Sequence, residues 1–374
     1  MIYLDSAATS LLKPAAVERA VLRAMRTMTS PGRGGHAPTM LAAETVYDCR
    51  EAAATLFHMP DASRVVFTMN ATHALNIAIR TLVRPGTRVL VSGFEHNAVT
   101  RPLHAAGADV RVAGRRLFDP EAMLQEWRVA LPGTDVAVCT MVSNVFGYVL
   151  PIAEIAELCR KTGVKLIVDA SQAAGILPVD AERLQAAFIA MPGHKGLMGP
   201  QGTGILLCGE DGDPLIQGGS GSESRLQTMP ETLPERLEAG THNVCGIAGL
   251  LEGIRHVSEK GTDGILAHET QLLQKAVDCL DGSGFALYTG PERTQCGVLS
   301  LRCPWMDCEE LAGRLAVRGV CVRAGLHCAP AAHESAGTLE TGTLRLSFSP
   351  FLSAGELARG CSVLLEESEK AKRN

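Results

Sequence analysis

The chain has 374 residues, of which 46% are hydrophobic and 20% are charged, a balance typical of a globular protein large enough for two domains. Its formal net charge is -5 and both charge signs are interspersed, so no basic surface for nucleic acid or anionic lipid is predicted. The N-terminus lacks the features of a secretion signal, and no apolar run approaches about 18 residues, which together predict a cytoplasmic protein with no membrane partner.

Short apolar runs alternate with amphipathic stretches through the first two thirds of the chain. The stretch after residue 70 has helical spacing, and another helix begins at Pro151 and stops at Gly163. This alternation predicts βαβ units and a mostly parallel sheet. The strand-like runs are at 64–68, 88–92, 135–142 and 165–170.

From about residue 255 the pattern changes to two long helices, followed by strand-like runs, a helix with an acidic start at Asp307 and a final helix from Ser353. This order predicts a smaller α+β domain. We therefore expect a large α/β domain at 15–255 and a small domain formed by 1–14 and 256–374, because the N-terminal segment is separated from the large sheet by a glycine-rich loop.

The twelve cysteines are scattered along the chain. The closest pairs, Cys303 with Cys308 and Cys321 with Cys328, lack the C-x2-C spacing of zinc or iron–sulfur ligands, so no metal site is predicted. Most of these cysteines are interpreted as reduced, buried side chains.

Ligands of open α/β sheets bind at the carboxyl ends of strands, so polar residues after apolar runs mark candidate sites. Asn70, Ala71 and Thr72 precede a helix whose free N–H groups would hold a phosphate, although an ordinary helix cap explains Asn70 or Thr72 as well. Asp169 ends another run, where a buried carboxylate needs a cation such as the protonated pyridine nitrogen of pyridoxal phosphate. A capping or salt-bridged aspartate is the alternative.

Two reactive side chains lie in turns. Lys195 lies between glycines in GHKG, where desolvation can remove its proton and allow a Schiff base, whereas a surface lysine in a hairpin would not explain the flanking His194. Cys328 follows His327 in a turn between strand-like runs, unlike the other cysteines. Nearby Arg323 and His327 would lower the pKa of this thiol and favour the nucleophilic thiolate.

Six blocks of the sequence together resemble the cysteine desulfurase and selenocysteine lyase family, which has the fold of class V aminotransferases. Each block is weakly specific alone, but their order and mutual agreement are specific. The resemblance runs from the N-terminus to RLSFSPF and implies the α/β fold type I of transferases that depend on pyridoxal 5′-phosphate (PLP). In chain order the blocks are YLDSAAT, FTMNAT, EHNA, VSNVFG, VDASQAAG with GHKG, and RAGLHCA.

The resemblance implies a role for each residue that matches a family motif. Lys195 would bind PLP as a Schiff base and move the substrate's Cα proton, and Cys328 would attack its sulfur or selenium. Thr241 matches a residue that reaches the neighbouring subunit's phosphate, which implies a homodimer with shared sites. Other cofactor contacts would be Asp169 at the pyridine nitrogen, His96 stacked on the ring and able to shuttle protons, Gln172 and Asn144 near the phenolic oxygen, and Ala71, Thr72 and His194 at the phosphate. The substrate would be bound by Arg345, whose guanidinium would form a bidentate pair with the carboxylate. The other substrate-binding residues would be Asn144, Arg323 and His36.

The chain departs from the family pattern in three places. Ala71 stands where many relatives have a hydroxyl residue, so phosphate binding would depend more on backbone N–H groups. Leu326 stands where relatives often have a second histidine before the His-Cys pair. The segment 331–343 differs from the best-known desulfurases and leaves the surface for a sulfur or selenium acceptor protein undefined.

The predicted reaction converts L-cysteine or L-selenocysteine into L-alanine, with a persulfide on Cys328 or free sulfide or selenide. A selenocysteine-specific lyase is an alternative in which Cys328 is not strictly required. A class V aminotransferase would use Lys195, Asp169 and Arg345 equally well but gives Cys328 no task. A non-catalytic assembly partner would be expected to lack Lys195 or Asp169, and both are present. No spacing in the sequence encodes the choice between sulfur and selenium.

Overall fold

Strands and helices alternate along most of the chain, of which the computed structural model describes residues 1–32, 34–291 and 293–373. The strands are β1 (Ile2–Tyr3), β2 (Val65–Thr68), β3 (Arg88–Ser92), β4 (Asp109–Ala113), β5 (Val136–Thr140), β6 (Lys165–Asp169), β7 (Phe188–Pro192), β8 (Gly204–Cys208), β9 (Ala286–Tyr288), β10 (Val298–Arg302), β11 (Val320–Cys321), β12 (Arg323–Gly325) and β13 (Thr343–Ser347). The helices are α1 (Ala15–Thr27), α2 (Ala37–Leu56), α3 (Ala71–Leu82), α4 (Asn97–Ala105), α5 (Pro120–Ala130), α6 (Ile152–Thr162), α7 (Ala181–Leu184), α8 (Val244–Lys260), α9 (Thr262–Leu280), α10 (Cys308–Val317), α11 (Pro330–Ser335) and α12 (Ala354–Arg373).

The larger sheet of the described residues has seven strands in the order β2-β8-β7-β6-β5-β3-β4. Pairing is parallel from β4 through β7, and β8 runs antiparallel to both β7 and β2. The central strands β5 and β7 are buried along their whole length, as expected when helices cover both faces of a parallel sheet. The predicted α/β fold with a mostly parallel sheet is confirmed.

Two helix boundaries have the predicted local causes. At the start of α3, the Asn70 side chain accepts a hydrogen bond from the His73 amide at 2.9 Å. At the end of α6, Gly163 has a φ of 71°, a left-handed conformation that glycine adopts without strain. Because α3 begins directly after β2, its N-terminus lies at an end of the sheet.

The smaller sheet is antiparallel, with the order β12-β13-β10-β9. The N-terminal strand β1 pairs with β11, with Ile2 opposite Val320, so the first residues of the chain pack with its C-terminal third. The first of the two long C-terminal helices begins at Val244, earlier than the predicted change of pattern near 255. The domain boundaries themselves stay a prediction.

A buried ion network joins α2 to the segment before α8. The Arg50 guanidinium donates to both carboxylate oxygens of Glu238, at 2.8 and 2.9 Å. The same carboxylate lies 2.6 Å from His242 Nε2 and accepts a 2.6 Å hydrogen bond from the Phe67 amide in β2. This network fixes the chain just before and after Thr241.

We expect Glu238→Ala to lower the free energy of unfolding by about 3 kcal/mol or more, because it leaves the buried guanidinium of Arg50 without its anion. Urea denaturation followed by circular dichroism measures the change. Glu231→Ala, which removes an exposed carboxylate from the same segment, is the control. Equal free energies of unfolding for the two variants would show that the network does not stabilise the fold.

Candidate active site

A cavity of about 230 Å³ lies at the carboxyl ends of β5, β6 and β7, where residues of the smaller sheet also reach it. Most of the residues predicted for the site line it, although they come from positions 71 to 345 of the chain. They are Ala71, Thr72, His96, Asn144, Asp169, Gln172, His194, Lys195, Arg323, Cys328 and Arg345.

Lys195 lies in a tight turn after β7. A Cβ atom at Gly196 would lie 2.4 Å from the carbonyl oxygen of Ala174, so only glycine allows this turn to pack against the segment after β6. Burial lowers the pKa of the Lys195 amine to about 8, and the nearby guanidiniums of Arg345 and Arg323 act in the same direction, while Asp169 opposes them. The amine is therefore far more available in its neutral, nucleophilic form than an exposed lysine.

Asp169 is buried at the end of β6, and its Oδ1 accepts a hydrogen bond from the Ser171 amide at 2.9 Å. Its negative charge raises the pKa values of both Lys195 and His96, against the effect of burial. A buried carboxylate that faces a cavity is suited to bind a cationic ligand atom, because the ligand then neutralises it.

His96 caps α4, and its Nδ1 accepts a hydrogen bond from the Ala98 amide at 3.0 Å. Burial lowers the pKa of His96, so the ring is neutral and carries its proton on Nε2. The adjacent Glu95 is fully buried, and it accepts hydrogen bonds from the Ser92 hydroxyl and, at 2.9 Å, from the Thr140 amide. It was not predicted as a site residue, although it lies in the EHNA block. Burial raises the pKa of Glu95 to about 8, and its hydrogen bond to the Thr140 amide links the end of β3 to β5.

Cys328 is the exposed one among the twelve cysteines. His327 and Cys328 both have left-handed backbone conformations, with φ of 52° and 56°, which are uncommon for residues with side chains. Their carbonyl groups accept hydrogen bonds from the Asn144 side chain at 2.8 Å and from the Asn97 amide at 2.7 Å. These contacts fix the thiol-bearing turn at the edge of the cavity.

The expectation that His327 would lower the pKa of the Cys328 thiol finds no support from a charge on its ring. The His327 ring is buried, and burial lowers its pKa to about 3, with the charge of Arg345 adding to the effect. The ring is therefore neutral at physiological pH, and it stacks on His333 at 5.7 Å between ring centroids. Arg323, in the strand just before this turn, is a cation that lines the cavity.

Arg345 lies in the middle of β13 and is only 2% exposed. Its Nη1 donates to the Asn144 carbonyl at 2.8 Å and its Nη2 to Asp5 Oδ1 at 2.7 Å, while its Nε has no partner among the described residues. N–H groups of the guanidinium therefore remain for a ligand carboxylate. Asp5 was not predicted as a site residue, although it lies in the YLDSAAT block.

Two other predicted residues contact the N-terminal segment. Gln172 Nε2 donates to the Ala7 carbonyl at 3.0 Å, and His194 Nδ1 lies 3.1 Å from the Thr9 hydroxyl. Both side chains line the cavity. Their contact with the cofactor stays a prediction. Ala7 and Ala8 line the same cavity, so the N-terminal segment contributes to its wall.

Thr241 and His36 do not line this cavity. Thr241 is exposed and borders a separate cleft of about 1160 Å³ beside Arg50 and Glu238. His36 is exposed at the start of α2, with its Nε2 3.3 Å from the Thr39 hydroxyl. Because α2 begins on the surface, the structure does not bring His36 to the substrate site of its own chain.

The cavity fits PLP by the chemistry of its walls. Lys195 offers an amine of lowered pKa, Asp169 offers a buried carboxylate of the kind that pairs with a protonated pyridine nitrogen, and α3 presents the free N–H groups of its first turn at Ala71 and Thr72. Within the described residues no group of three or more histidine, cysteine or acidic side chains could hold a metal ion. A lysine and an aspartate that face one cavity at the end of a mostly parallel sheet are typical of PLP-dependent enzymes.

The sequence comparisons agree with this class. Residues 2–359 match the family profile Aminotransferase class-V. A protein named probable cysteine desulfurase from Methanothermobacter thermautotrophicus is 32% identical over 95% of this chain and 92% of its own length. The cysteine desulfurase of Dickeya dadantii is 31% identical over 88% of this chain and 83% of its own length. The chain belongs to the cysteine desulfurase family of class V aminotransferase-fold enzymes, whose members depend on PLP.

Solved structures show the same likeness. The apo structure of cysteine desulfurase from Thermococcus onnurineus NA1 superposes with a TM-score of 0.90 at 27% identity, covering 99% of this chain and 95% of that one. The cysteine desulfurase CsdA of Escherichia coli gives 0.83 at 26% identity, covering 100% of this chain and 94% of that one. The predicted family, fold type and cofactor are confirmed. Among the helices that the structure describes, none has the length and apolar character needed to cross a membrane.

Proposed function

We propose that this protein is a PLP-dependent cysteine desulfurase that removes sulfur from L-cysteine and releases L-alanine. The observation that carries the proposal is the exposed thiol of Cys328, held in a fixed turn at the cavity that also contains Lys195 and Asp169. The curated relatives quoted above carry the name cysteine desulfurase, which favours this reaction over selenocysteine-specific cleavage, transamination or a non-catalytic role.

When bound, PLP withdraws electrons from the substrate's Cα and so weakens the Cα–H and C–S bonds. Lys195 would hold the cofactor, Asp169 would keep the pyridine nitrogen protonated, and the N-terminus of α3 would bind the phosphate. Gln172, Asn144 and His194 would contact the cofactor's other polar groups. Arg345 would fix the substrate carboxylate through the N–H groups that Asp5 and Asn144 leave free.

The neutral amine of Lys195 would take the proton from the substrate's Cα, and His96 would hold a proton at Nε2 close to the reacting atoms. The Cys328 thiolate would attack the substrate's sulfur, so that a new S–S bond forms as the C–S bond breaks. The electron pair of the C–S bond stays on the substrate's Cβ, which takes up a proton, and the proton that Lys195 removed returns to Cα, so that L-alanine leaves. The sulfur remains as a Cys328 persulfide.

The assembly and the cellular setting are also part of the proposal. A homodimer with shared sites would give Thr241 its role at the partner subunit's phosphate, and the exposure of Thr241 next to a large cleft supports this arrangement. The exposure of Cys328 supports transfer of the persulfide sulfur to an acceptor protein. A cytoplasmic location is proposed because thiolate chemistry of this kind requires reduced cysteines.

The test supplies the purified, PLP-loaded protein with L-cysteine and, separately, with L-selenocysteine, and measures L-alanine together with sulfide or selenide in the presence of a reductant. Equal amounts of alanine and sulfide from L-cysteine are expected. Activity confined to L-selenocysteine would identify a selenocysteine lyase instead. No alanine from either substrate would overturn the proposal and favour transamination.

A further inference from the structure

The proposed function gives no role to a charged side chain, Asp5, that contacts the cavity-lining Arg345. Asp5 accepts a 2.7 Å hydrogen bond from Nη2 of Arg345, which lies 340 residues further along the chain. The backbone of Asp5 bridges to that of Ser347 in β13, and the Ser347 amide donates to the Leu4 carbonyl at 2.8 Å. The carboxylate is therefore held in place by the same strand that carries Arg345.

Arg345 also has a second cation beside it. Arg323 in β12 is its direct cross-strand partner, and both arginines line the cavity. Like charges in this arrangement repel each other. Arg323 is exposed and forms no side-chain hydrogen bond or ion pair with the residues that the structure describes, so the ion pair between Asp5 and Arg345 is the one that these two guanidiniums make within those residues.

We define the carboxylate subsite as Asp5, Arg323 and Arg345. Two guanidiniums and one carboxylate give it one net positive charge, which a single ligand carboxylate neutralises. A second anionic group on the ligand would meet a subsite that is already neutral. An unpaired charge in such a place is costly.

We propose that Asp5 is a specificity-determining residue that restricts the carboxylate subsite to amino acids with one carboxylate group. The inference rests on the proposed function, in which Arg345 binds the substrate carboxylate. Asp5 acts through Arg345 and through the net charge of the subsite, and it takes no part in bond breaking. L-cysteine, with one carboxylate and a small side chain, satisfies the restriction.

Asp5→Asn tests the charge directly, because asparagine keeps the shape of the side chain and an oxygen that accepts from Arg345. Isothermal titration calorimetry of the PLP-loaded protein would give Kd for L-alanine and for L-aspartate, which differ by one carboxylate on Cβ. The wild-type protein should prefer L-alanine. Asp5→Asn should raise the affinity of L-aspartate relative to L-alanine roughly tenfold, because the dianion gains more from the added positive charge.

Asp211→Asn is the matched control, since it removes the same charge from an exposed ion pair with Arg64 and should leave the affinity ratio unchanged. Asp5→Ser repeats the test with a smaller uncharged side chain in case Asp5→Asn does not fold. An unchanged ratio in an Asp5 variant that still forms alanine from L-cysteine would overturn only the role of Asp5. A wild-type protein that binds neither ligand and makes no alanine would overturn the proposed function as well.

Discussion

Lys195→Ala should lower alanine formation from L-cysteine by more than about 1000-fold. The variant removes both the amine that would hold the cofactor and the base that would take the Cα proton. The structure supports this choice because burial lowers the pKa of Lys195 to about 8 and because the side chain faces the same cavity as Asp169. Borohydride reduction followed by mass spectrometry would show PLP fixed to the wild-type chain at Lys195 and absent from the variant.

The chain offers two lysine controls. Lys161→Ala removes an exposed lysine that pairs with Glu157, and it should leave activity and cofactor attachment unchanged. Lys13 is the more demanding comparison, because burial also lowers its pKa, but it donates to the Ser10 hydroxyl at 2.7 Å and does not line the cavity. Cofactor found on Lys13, or full activity in Lys195→Ala, would contradict the assignment.

Cys328→Ser should reduce sulfide release from L-cysteine by at least about 100-fold, because a hydroxyl at this position cannot attack sulfur as a thiolate does. The wild-type chain, treated with L-cysteine and no reductant, should gain the mass of one sulfur atom on the peptide that contains Cys328. The variant should gain none. Binding of PLP should be retained, because Cys328 belongs to a turn that its backbone carbonyl groups hold in place.

Cys245→Ser is the control for this prediction, since it changes a half-buried cysteine on α8 away from the cavity. It should leave sulfide release and the mass gain at Cys328 unaltered. Undiminished sulfide release by Cys328→Ser would mean that sulfur leaves the substrate without a covalent step on this thiol. A mass gain on another cysteine would move the acceptor role to that residue.

The sequence was sufficient for the features that depend on local order. The alternation of apolar runs with helical stretches predicted β2, β3, β5, β6, α3 and α6, because strand and helix periodicities are written in consecutive residues. Lys195 and Asp169 were identifiable because each follows an apolar strand, and the carboxyl ends of parallel strands meet at one edge of the sheet. The unusual turn of Cys328 could be located from its flanking residues, though not its left-handed geometry.

The sequence alone was misleading or silent wherever burial or distant pairing decides the chemistry. His327 was expected to lower the pKa of the Cys328 thiol, but burial keeps its ring neutral, stacked on His333. The residues around Asp5 do not indicate its partner. Asp5 and Arg345 are 340 positions apart in the chain and meet only when β13 packs against the N-terminal segment. Local patterns therefore determined the elements, the family and the candidate reactive residues of this protein, whereas the tertiary structure determined the charges of those side chains, because desolvation and ion pairing depend on neighbours that are remote in sequence.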